Sequence, residues 1–329
     1  MIRRIVARLV WSVGVLWAVV TLTFVITRVL PGDPARLVAG PQARGVDVAR
    51  VRAALALDRP VAVQYGRFLG RLVHFGSSEG EHSTCAEILP RVHVDLGRSY
   101  TFGQPVVRIL EERVPRTAAL ALVAALFQSI AGAAVGIFAA RRRHSLADHA
   151  SIVATIVGIS VPTFLVGIVL QYTLAHRLEL LPLDGFGKTF VDHARSIVLP
   201  ALTLGICGAA YYTRLVRDEM IDVFGRDYIR TARAKGLGEA AITYRHALRN
   251  ALFPIVTMLG LDLGTLLGGA IVTEQIFRWP GLGQLSATAL VGRDGPVIVG
   301  AVLVTSTAIV ASSLVVDLLY AMLDPRLRA

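Results

Sequence analysis

One polar stretch of the chain carries side chains of the kinds that ligate metals. His82 and Cys85 form an H-x-x-C pair, and His74 and His93 lie close to it in the sequence. Imidazole and thiolate groups are the usual ligands of structural zinc, and similar groups also hold haem iron. Two soft ligands in a polar, irregular stretch are nevertheless weak evidence for such a site. We predict a surface loop from His74 to His93 and no bound metal.

A Gly-Lys-Thr triplet at residues 187–189 resembles the end of a phosphate-binding loop. The full pattern requires a glycine five residues before Gly187, where this chain has Pro182, and no strand is predicted ahead of it. A Ser-His-Asp or Cys-His arrangement with supporting context is also missing from the sequence. We therefore predict that the chain is not an enzyme and does not hydrolyse ATP by this route. Energy for any uphill transport would then come from a partner.

Asp262 lies near the middle of an apolar stretch, where a charged side chain costs about 2.5–3.5 kcal/mol on insertion scales. Such a side chain is expected to face the interior of a helix bundle or a water-filled path. Two interpretations are open: the carboxylate lines a solute path, or it is protonated or hydrogen-bonded to a neighbouring helix or a partner subunit. Gln128 and Gln171 are weaker candidates for the same path, because each lies within another apolar stretch.

The elements that carry these residues are predicted to be membrane helices. Of the 329 residues, 54% are hydrophobic and 17% are charged, whereas a soluble domain has about 25% charged residues. The apolar residues fall in blocks long enough to cross a bilayer, which takes about 20 residues per helix. Backbone polar groups in hydrocarbon must pair within their own segment, so these blocks should be helical. We predict an all-α, polytopic membrane protein whose six transmembrane helices cover residues 9–29, 116–140, 149–175, 197–216, 251–273 and 297–321.

The distribution of basic residues predicts how these helices are oriented. Arginine and lysine collect before the first span, after the second, between the fourth and fifth, and at the C-terminal end. The positive-inside rule places such loops in the cytoplasm, so both termini are predicted to be cytoplasmic. We attribute the net charge of +11 to this pattern at the lipid bilayer and predict no nucleic-acid partner. The uncharged run from Leu9 to Thr27 is longer than the apolar part of a cleaved signal peptide, so it is predicted to remain as the first span.

The chain is predicted to have three parts. Residues 1–30 contain the N-terminus and first span, residues 31–115 form an extended extracytoplasmic segment, and residues 116–329 form the core. The middle part is rich in arginine, but loops longer than about 60 residues cross the membrane regardless of charge. Helical patterns occur in it near residues 47–57 and 60–73.

Glycines recur at intervals of four residues in two of the predicted spans. Gly260, Gly264 and Gly268 lie in the fifth span, and Gly132 and Gly136 lie in the second. Small residues at this spacing let helices approach closely. We predict tight helix packing at these positions, and a smooth surface along which helices slide between two states is an open alternative.

A short basic segment, "YIRTARAKGLGEAA", lies inside the 217–250 connection between spans 4 and 5. We predict about two helical turns from Tyr228 to Lys235, with Asp227 as the N-cap and Gly236 just past the C-terminal end. An isolated helix of this length is marginal in water, so something must hold it. It either lies on lipid headgroups, with its basic residues on phosphates, or docks into a groove of another protein.

Several separate blocks resemble one family, in the right order, over nearly the whole chain. They are "LPGDP" after the first span, "DLGRSY" before the second, "SVPTF" (Ser160–Phe164), "GGAIVTEQIFRWPGLG" (Gly268–Gly283) and "LLYAMLDPR" (Leu318–Arg326). With the short basic segment, they resemble the permease subunits of ATP-binding-cassette importers, most of all the B-type permease of the dipeptide and oligopeptide branch. The resemblance implies the type I importer permease fold and a bacterial cytoplasmic (inner or plasma) membrane. It also implies that the basic segment is the coupling helix, which fits a cleft on the ATPase subunit through Ala232, Arg233, Ala234, Lys235, Gly236 and Leu237.

The same resemblance implies partners and cargo. A second permease subunit would complete a heterodimer, and two ATPase subunits would bind ATP and magnesium, so this chain itself is expected to bind no cofactor. An extracytoplasmic solute-binding protein would deliver dipeptides or oligopeptides, with nickel or another small solute as an alternative cargo.

Two functions of different classes compete with this interpretation. An ion-coupled secondary transporter would need buried titratable relays and inverted repeats, for which Asp262 alone is thin support. A membrane scaffold or sensor would use residues 31–115 to bind an external partner.

Overall fold

The computed structural model describes residues 2–29, 34–40, 42–75, 84–89 and 92–323. The helices are α1 (Ile2–Val29), α2 (Pro34–Ala39), α3 (Gly45–Ala54), α4 (Val61–Leu72), α5 (Val106–Arg141), α6 (Leu146–Ser160), α7 (Thr163–Leu170), α8 (Phe190–Ser196), α9 (Val198–Phe224), α10 (Asp227–Ala234), α11 (Glu239–Ala241), α12 (Leu248–Leu267), α13 (Ile271–Ile276), α14 (Leu282–Val291) and α15 (Gly295–Leu323). Segments Gln171–Arg177 and Ile242–Ala247 are π-helical and continue α7 and α11. The strands are β1 (His74–Phe75), β2 (Cys85–Leu89) and β3 (Val92–Asp95).

The apolar blocks form long helices, as predicted. Within the described residues, five helical stretches are long and apolar enough to cross a membrane, and a bent helix pair makes a sixth if it counts as one span. The five are Ala7–Thr27, Val106–Arg141, Phe190–Phe224, Glu239–Leu267 and Gly295–Asp317. The prediction of a polytopic helical membrane protein is confirmed.

The predicted third span, 149–175, is not one continuous helix. Leu146–Ser160 and Thr163–Arg177 meet at an angle of 99°. Pro162 lies at the break, and proline both lacks a backbone N–H and disfavours the helical conformation in the residue before it. Val161 accordingly adopts φ −77° and ψ 126°, which is extended backbone. The "SVPTF" block therefore marks a break in the helix rather than its interior.

Further helix ends differ from the prediction. Helix α5 begins at Val106, within the predicted 31–115 segment, whereas the second span was predicted to begin at residue 116. Helix α9 continues past the predicted end at residue 216 to Phe224, so part of the predicted connection is helical. Helix α12 ends at Leu267, whereas the fifth span was predicted to run to residue 273. Gly269 has φ +96°, a conformation that favours glycine and ends the helix before α13 begins.

The chain divides into two compact units, of which the first comprises Met1–Arg116 and Gly281–Ala308. Its core consists of side chains from the start of α5, from α14 and from the start of α15, among them Val106, Leu282 and Val297. Asp294, which is fully buried, accepts hydrogen bonds from the Ser99 hydroxyl at 2.5 Å and the Thr101 backbone N–H at 2.9 Å. This carboxylate holds the "DLGRSY" block against the turn that precedes α15.

The first unit also contains a small antiparallel sheet of strand order β1-β3-β2. His74 pairs with His93, and Cys85 pairs with Asp95. The prediction of an irregular loop over 74–93 is wrong for these strands, and the all-α class needs this addition. His82 lies outside the described residues. Among those that are described, three or more His, Cys, Asp or Glu side chains are nowhere grouped as metal ligands would be.

The second unit comprises Thr117–Pro280 and Ile309–Ala329. Its largest buried cluster joins α9, α10, the π-helical segment after α11, and α12, through residues such as Met220, Ile229, Ile242 and Ala251. The short helix α10 is therefore part of a packed core, and its position is set by the helices on either side of it.

Candidate functional site

Helix α10 ends in the way that its sequence predicts. Gly236 has φ +78°, its N–H bonds the Arg233 carbonyl at 2.9 Å, and the Leu237 N–H bonds the Ala232 carbonyl at 3.3 Å. This pair of bonds is the Schellman arrangement, in which glycine supplies the left-handed conformation just past the helix. The start differs from the prediction by one residue. Arg226 occupies the N-cap position without a side-chain capping bond, and Asp227 is the first helical residue.

One face of α10 is buried in its own subunit. Ile229 is 0% exposed and Ala232 is 7% exposed, and both belong to the core formed with α9 and α12. Full burial of one isoleucine side chain contributes roughly 1.5–3 kcal/mol, enough to hold a helix that would be marginal alone. The chain's own core thus supplies the support that the sequence required.

The opposite face of α10 is exposed and contains small and basic side chains. Of the six residues that the family resemblance assigns to an ATPase contact, Arg233, Ala234, Lys235, Gly236 and Leu237 are exposed, whereas Ala232 faces the core. Arg230 and Thr231 share the exposed face and were missed at first. Helical periodicity signals them, because both lie on the side of the helix that faces away from the buried Ile229 and Ala232.

Arg233 turns back onto its own chain. Its Nε donates to Glu239 Oε1 at 2.9 Å, and its guanidinium carbon lies 6.0 Å from the centre of the Phe224 ring. Just before the helix, Arg226 donates to Asp222 at 2.7 Å, and this hydrogen bond raises the pKa of Arg226. Lys235, the other basic residue assigned to the contact, forms no ion pair within the described residues.

Two of the three path candidates come together in the second unit. Gln128 Nε2 donates to Asp262 Oδ2 at 3.0 Å, which links α5 to α12. Gln128 is 3% exposed, whereas Asp262 is half-buried. Tyr212 lies beside both groups and is fully buried, but its hydroxyl meets hydrogen-bond geometry with no group among the described residues. Asp262 therefore satisfies part of its hydrogen-bonding capacity on a neighbouring helix, as one of the two interpretations expected.

Gln171 lies apart from this pair. Its amide nitrogen donates to the Leu183 carbonyl at 2.9 Å and to the Ile276 carbonyl at 3.4 Å. These bonds tie the π-helical end of the bent pair to two neighbouring segments, so the contacts of Gln171 are those of a structural residue.

Four of the five glycines lie at close helix contacts. A Cβ atom on Gly132 or Gly136 would collide with α9, at Tyr212 and Val216 respectively. A Cβ atom on Gly260 would collide with Val316 of α15, and one on Gly264 would press on Ser312 and Ile309 of the same helix. Gly268 instead occupies the C-cap of α12.

Sequence reasoning missed a buried ion pair at the ends of α6 and α9. Arg217 donates from Nε to Asp148 Oδ1 at 2.6 Å and from Nη2 to Oδ2 at 3.1 Å, and the Asp148 side chain is 2% exposed. The His144 backbone N–H adds a third bond to this carboxylate at 2.9 Å. Glu274 is a second buried carboxyl group, and it accepts a hydrogen bond from the Thr117 hydroxyl at 2.9 Å.

Comparison with known families identifies the class of protein to which these membrane helices and the short helix α10 belong. Residues 132–329 match the family described as binding-protein-dependent transport system inner membrane component, and residues 1–121 match the N-terminal part of such components. The chain belongs to this family. It is therefore a multi-pass transport permease of the binding-protein-dependent type.

Relatives of known name extend along the whole permease. A Brucella abortus (strain 2308) protein described as a peptide transport system permease is 38% identical over 328 residues, covering 98% of each chain. A glutathione transport system permease protein of Salmonella paratyphi A is 37% identical over 328 residues, covering 100% of this chain and 99% of that protein.

Solved structures agree on the fold. An inward-facing structure of the MetNI methionine ABC transporter aligns with a TM-score of 0.55 at 19% identity, covering 67% of this chain and 98% of that one. A second crystal of the same transporter aligns with a TM-score of 0.53. The prediction of a type I importer permease fold is confirmed.

Proposed function

We propose that this permease is one transmembrane subunit of an ATP-driven importer that takes up peptides. The observation that carries the proposal is helix α10. One of its faces is packed in the core, and the other is exposed and contains small and basic side chains. The peptide and glutathione permeases that match its full length support the same cargo class.

The partners follow from this role. A second permease subunit would complete the pathway, two ATPase subunits would hold ATP and magnesium, and a solute-binding protein outside the membrane would deliver the cargo. The exposed face of α10 would then lie in the cytoplasm with both chain termini, because the basic residues favour that side.

The buried face of α10 explains how a partner's motion would reach the pathway. Ile229 and Ala232 pack with Met220 of α9 and Ala251 of α12, and protein interiors transmit displacement because they are close-packed. Closure of the ATPases around ATP would draw α10 with it and shift α9 and α12. ATP would shift the assembly between its two states only because it binds one state more tightly than the other.

The docking role of α10 is tested by placing a charge on its exposed face. Ala234→Glu is expected to lower co-purification of the ATPase subunits and to reduce ATP-dependent peptide uptake roughly tenfold or more, since an unpaired charge in a contact costs at least about 1.4 kcal/mol. Membrane insertion should be unchanged, because Ala234 is exposed.

Ala53→Glu is the matched control, since Ala53 is also an exposed alanine on a helix, α3, in the first unit. It should leave both ATPase co-purification and uptake as in the unaltered protein. Normal uptake by the Ala234→Glu variant would overturn the docking role.

The energy source and the cargo are tested together in vesicles. Uptake of labelled dipeptides and oligopeptides should require the partner ATPases and ATP, and unlabelled peptides should compete with it. Accumulation by vesicles that contain only this permease, driven by a proton gradient, would contradict the proposal. Competition by nickel ions but not by peptides would reassign the cargo.

A further inference from the structure

A cavity of about 440 Å³ opens in the second unit beside α10. Arg141 at the end of α5 and Arg143 in the turn after it line the cavity. The other side chains in the lining include Ile221 and Phe224 from the end of α9, Arg233 from α10 and Glu239 from α11. Cavities of about 300–1,000 Å³ accommodate small molecules or their headgroups. This one therefore has room for a ligand of that size.

The charge of the cavity lining selects an anion. Three guanidinium groups and one carboxylate face it. Arg233 is already paired with Glu239 at 2.9 Å. The guanidinium groups of Arg141 and Arg143, in contrast, form no hydrogen bond or ion pair within the described residues, and Arg141 interacts with Glu239 only at longer range. Two guanidinium groups whose donors are available favour phosphate, which they bind bidentately.

The position of the cavity selects a phosphate attached to a lipid. Its lining comes from the ends of three stretches that are long and apolar enough to cross a membrane, Val106–Arg141, Phe190–Phe224 and Glu239–Leu267, and from residues just beyond those ends. Headgroups lie at this depth. Ile221 and Phe224 give the cavity an apolar wall that suits the glycerol and upper acyl groups of a phospholipid. Basic pockets between membrane helices are known to hold anionic headgroups.

We propose that this cavity is a binding site for the headgroup of an anionic phospholipid, with Arg141 and Arg143 on the phosphate. The lipid would also compete with Glu239 for Arg233, and Arg233 belongs to α10. Lipid binding would thereby adjust how firmly α10 is tied to α11. The site is separate from the residues proposed for the solute path, and it shares Arg233 with the face of α10 that is proposed to meet the ATPase.

The sequence provides a matched control between the two arginines. Arg142 has the same charge, but its guanidinium carbon lies 4.5 Å from the centre of the Phe138 ring, and it does not line the cavity. Full-length permease, purified with the subunits that accompany it, is titrated with phosphatidylglycerol or phosphatidylcholine, and bound lipid is counted by native mass spectrometry. Arg141→Gln and Arg143→Gln are each expected to weaken phosphatidylglycerol binding about fivefold, and Arg142→Gln to change it much less.

Charge-preserving variants sharpen the result. Arg141→Lys and Arg143→Lys keep the charge but lose the planar fork, so their affinity for phosphatidylglycerol should lie between those of the unaltered and glutamine proteins. An unchanged unfolding midpoint shows that each variant is folded.

Four outcomes would overturn the proposal. If all three glutamine variants lost phosphatidylglycerol affinity equally, the effect would come from general surface charge. If phosphatidylcholine bound as tightly as phosphatidylglycerol, the negative charge of the headgroup would play no part. Displacement of the lipid by millimolar inorganic phosphate would indicate a small-anion site. Loss of co-purifying ATPase from the Arg141→Gln and Arg143→Gln variants, with lipid binding unchanged, would make the cavity a protein contact.

Discussion

Two carboxylates inside the second unit differ in how completely they are paired. Asp148 receives two bonds from Arg217 and one from a backbone N–H, and its side chain is 2% exposed. Asp262 receives one bond that meets hydrogen-bond geometry among the described residues, from the neutral amide of Gln128, and it is half-buried. The first carboxylate is closed off by an opposite charge, whereas the second keeps acceptor capacity toward a partly open side.

We expect this difference to separate a structural role from a functional one. A charge-assisted bidentate pair fixes geometry, so Asp148 and Arg217 tie the start of α6 to the end of α9. Among the described residues, the Asp262 carboxyl group has only neutral neighbours, Gln128 and Tyr212, although it lies in the middle of the bundle, where a charge is costly. We therefore expect changes at Asp148 to appear in stability and changes at Asp262 to appear in transport.

The largest expected effect comes from removing the cation of the closed pair. Arg217→Met leaves Asp148 buried without a counter-charge, which is expected to cost about 3 kcal/mol, the lower end for a buried pair, because Arg217 is 18% exposed. Thermal unfolding of the purified protein measures this as a lowered midpoint. Arg226→Met is the matched control, since its pair with Asp222 is 61% and 64% exposed, and its midpoint should stay close to that of the unaltered protein. Equal shifts for the two variants would erase the distinction between a closed pair and a surface pair.

A smaller loss is expected from the open pair. Gln128→Leu leaves the Asp262 carboxylate without its donor and should destabilise the protein by about 1–3 kcal/mol. The double variant Gln128→Leu with Asp262→Leu should recover part of that loss, because replacing both partners by apolar groups removes the unsatisfied group. Strictly additive midpoint shifts in this cycle would show that the two side chains do not interact.

The smallest effect on stability, and the one most specific to function, is expected from Asp262→Asn. Asparagine still accepts the Gln128 hydrogen bond, so the unfolding midpoint should barely move. Uptake should nevertheless fall roughly tenfold, because a hydrogen bond to a charged group is worth about 1.5–3 kcal/mol and the solute would lose that charge. Normal uptake together with a normal midpoint would assign Asp262 to helix packing and would contradict its expected role in transport.

Local signals in the sequence predicted the features that depend on near neighbours. Gly236 was predicted just past α10, and its φ of +78° agrees, because the Schellman geometry involves only the last turn. The helical patterns near 47–57 and 60–73 became α3 and α4 for the same reason. Ala232 shows where this reasoning ends. Its spacing from Ile229 marked a face but did not determine whether that face meets a partner or the chain's own core.

Features that depend on distant parts of the chain were not predictable from one sequence. Asp148 and Arg217 are 69 residues apart, and their pairing requires the relative rotation of α6 and α9. The sheet was missed because β1 is two residues long and pairs across the polar stretch with β3. The break in the third span had a local signal in Pro162, but its 99° angle depends on the helices that pack around it.

That angle has a consequence for how many times the backbone crosses the bilayer. The helix before Pro162 has 15 residues, and a crossing takes about 20. If the two arms together traverse the bilayer, the count is even and the start of α1 and the end of α15 share a compartment. If the arms enter and return on one side, the count is odd and those ends face opposite compartments. Reporter tags at the two ends, read out in whole cells, therefore distinguish a traversing bend from a re-entrant one.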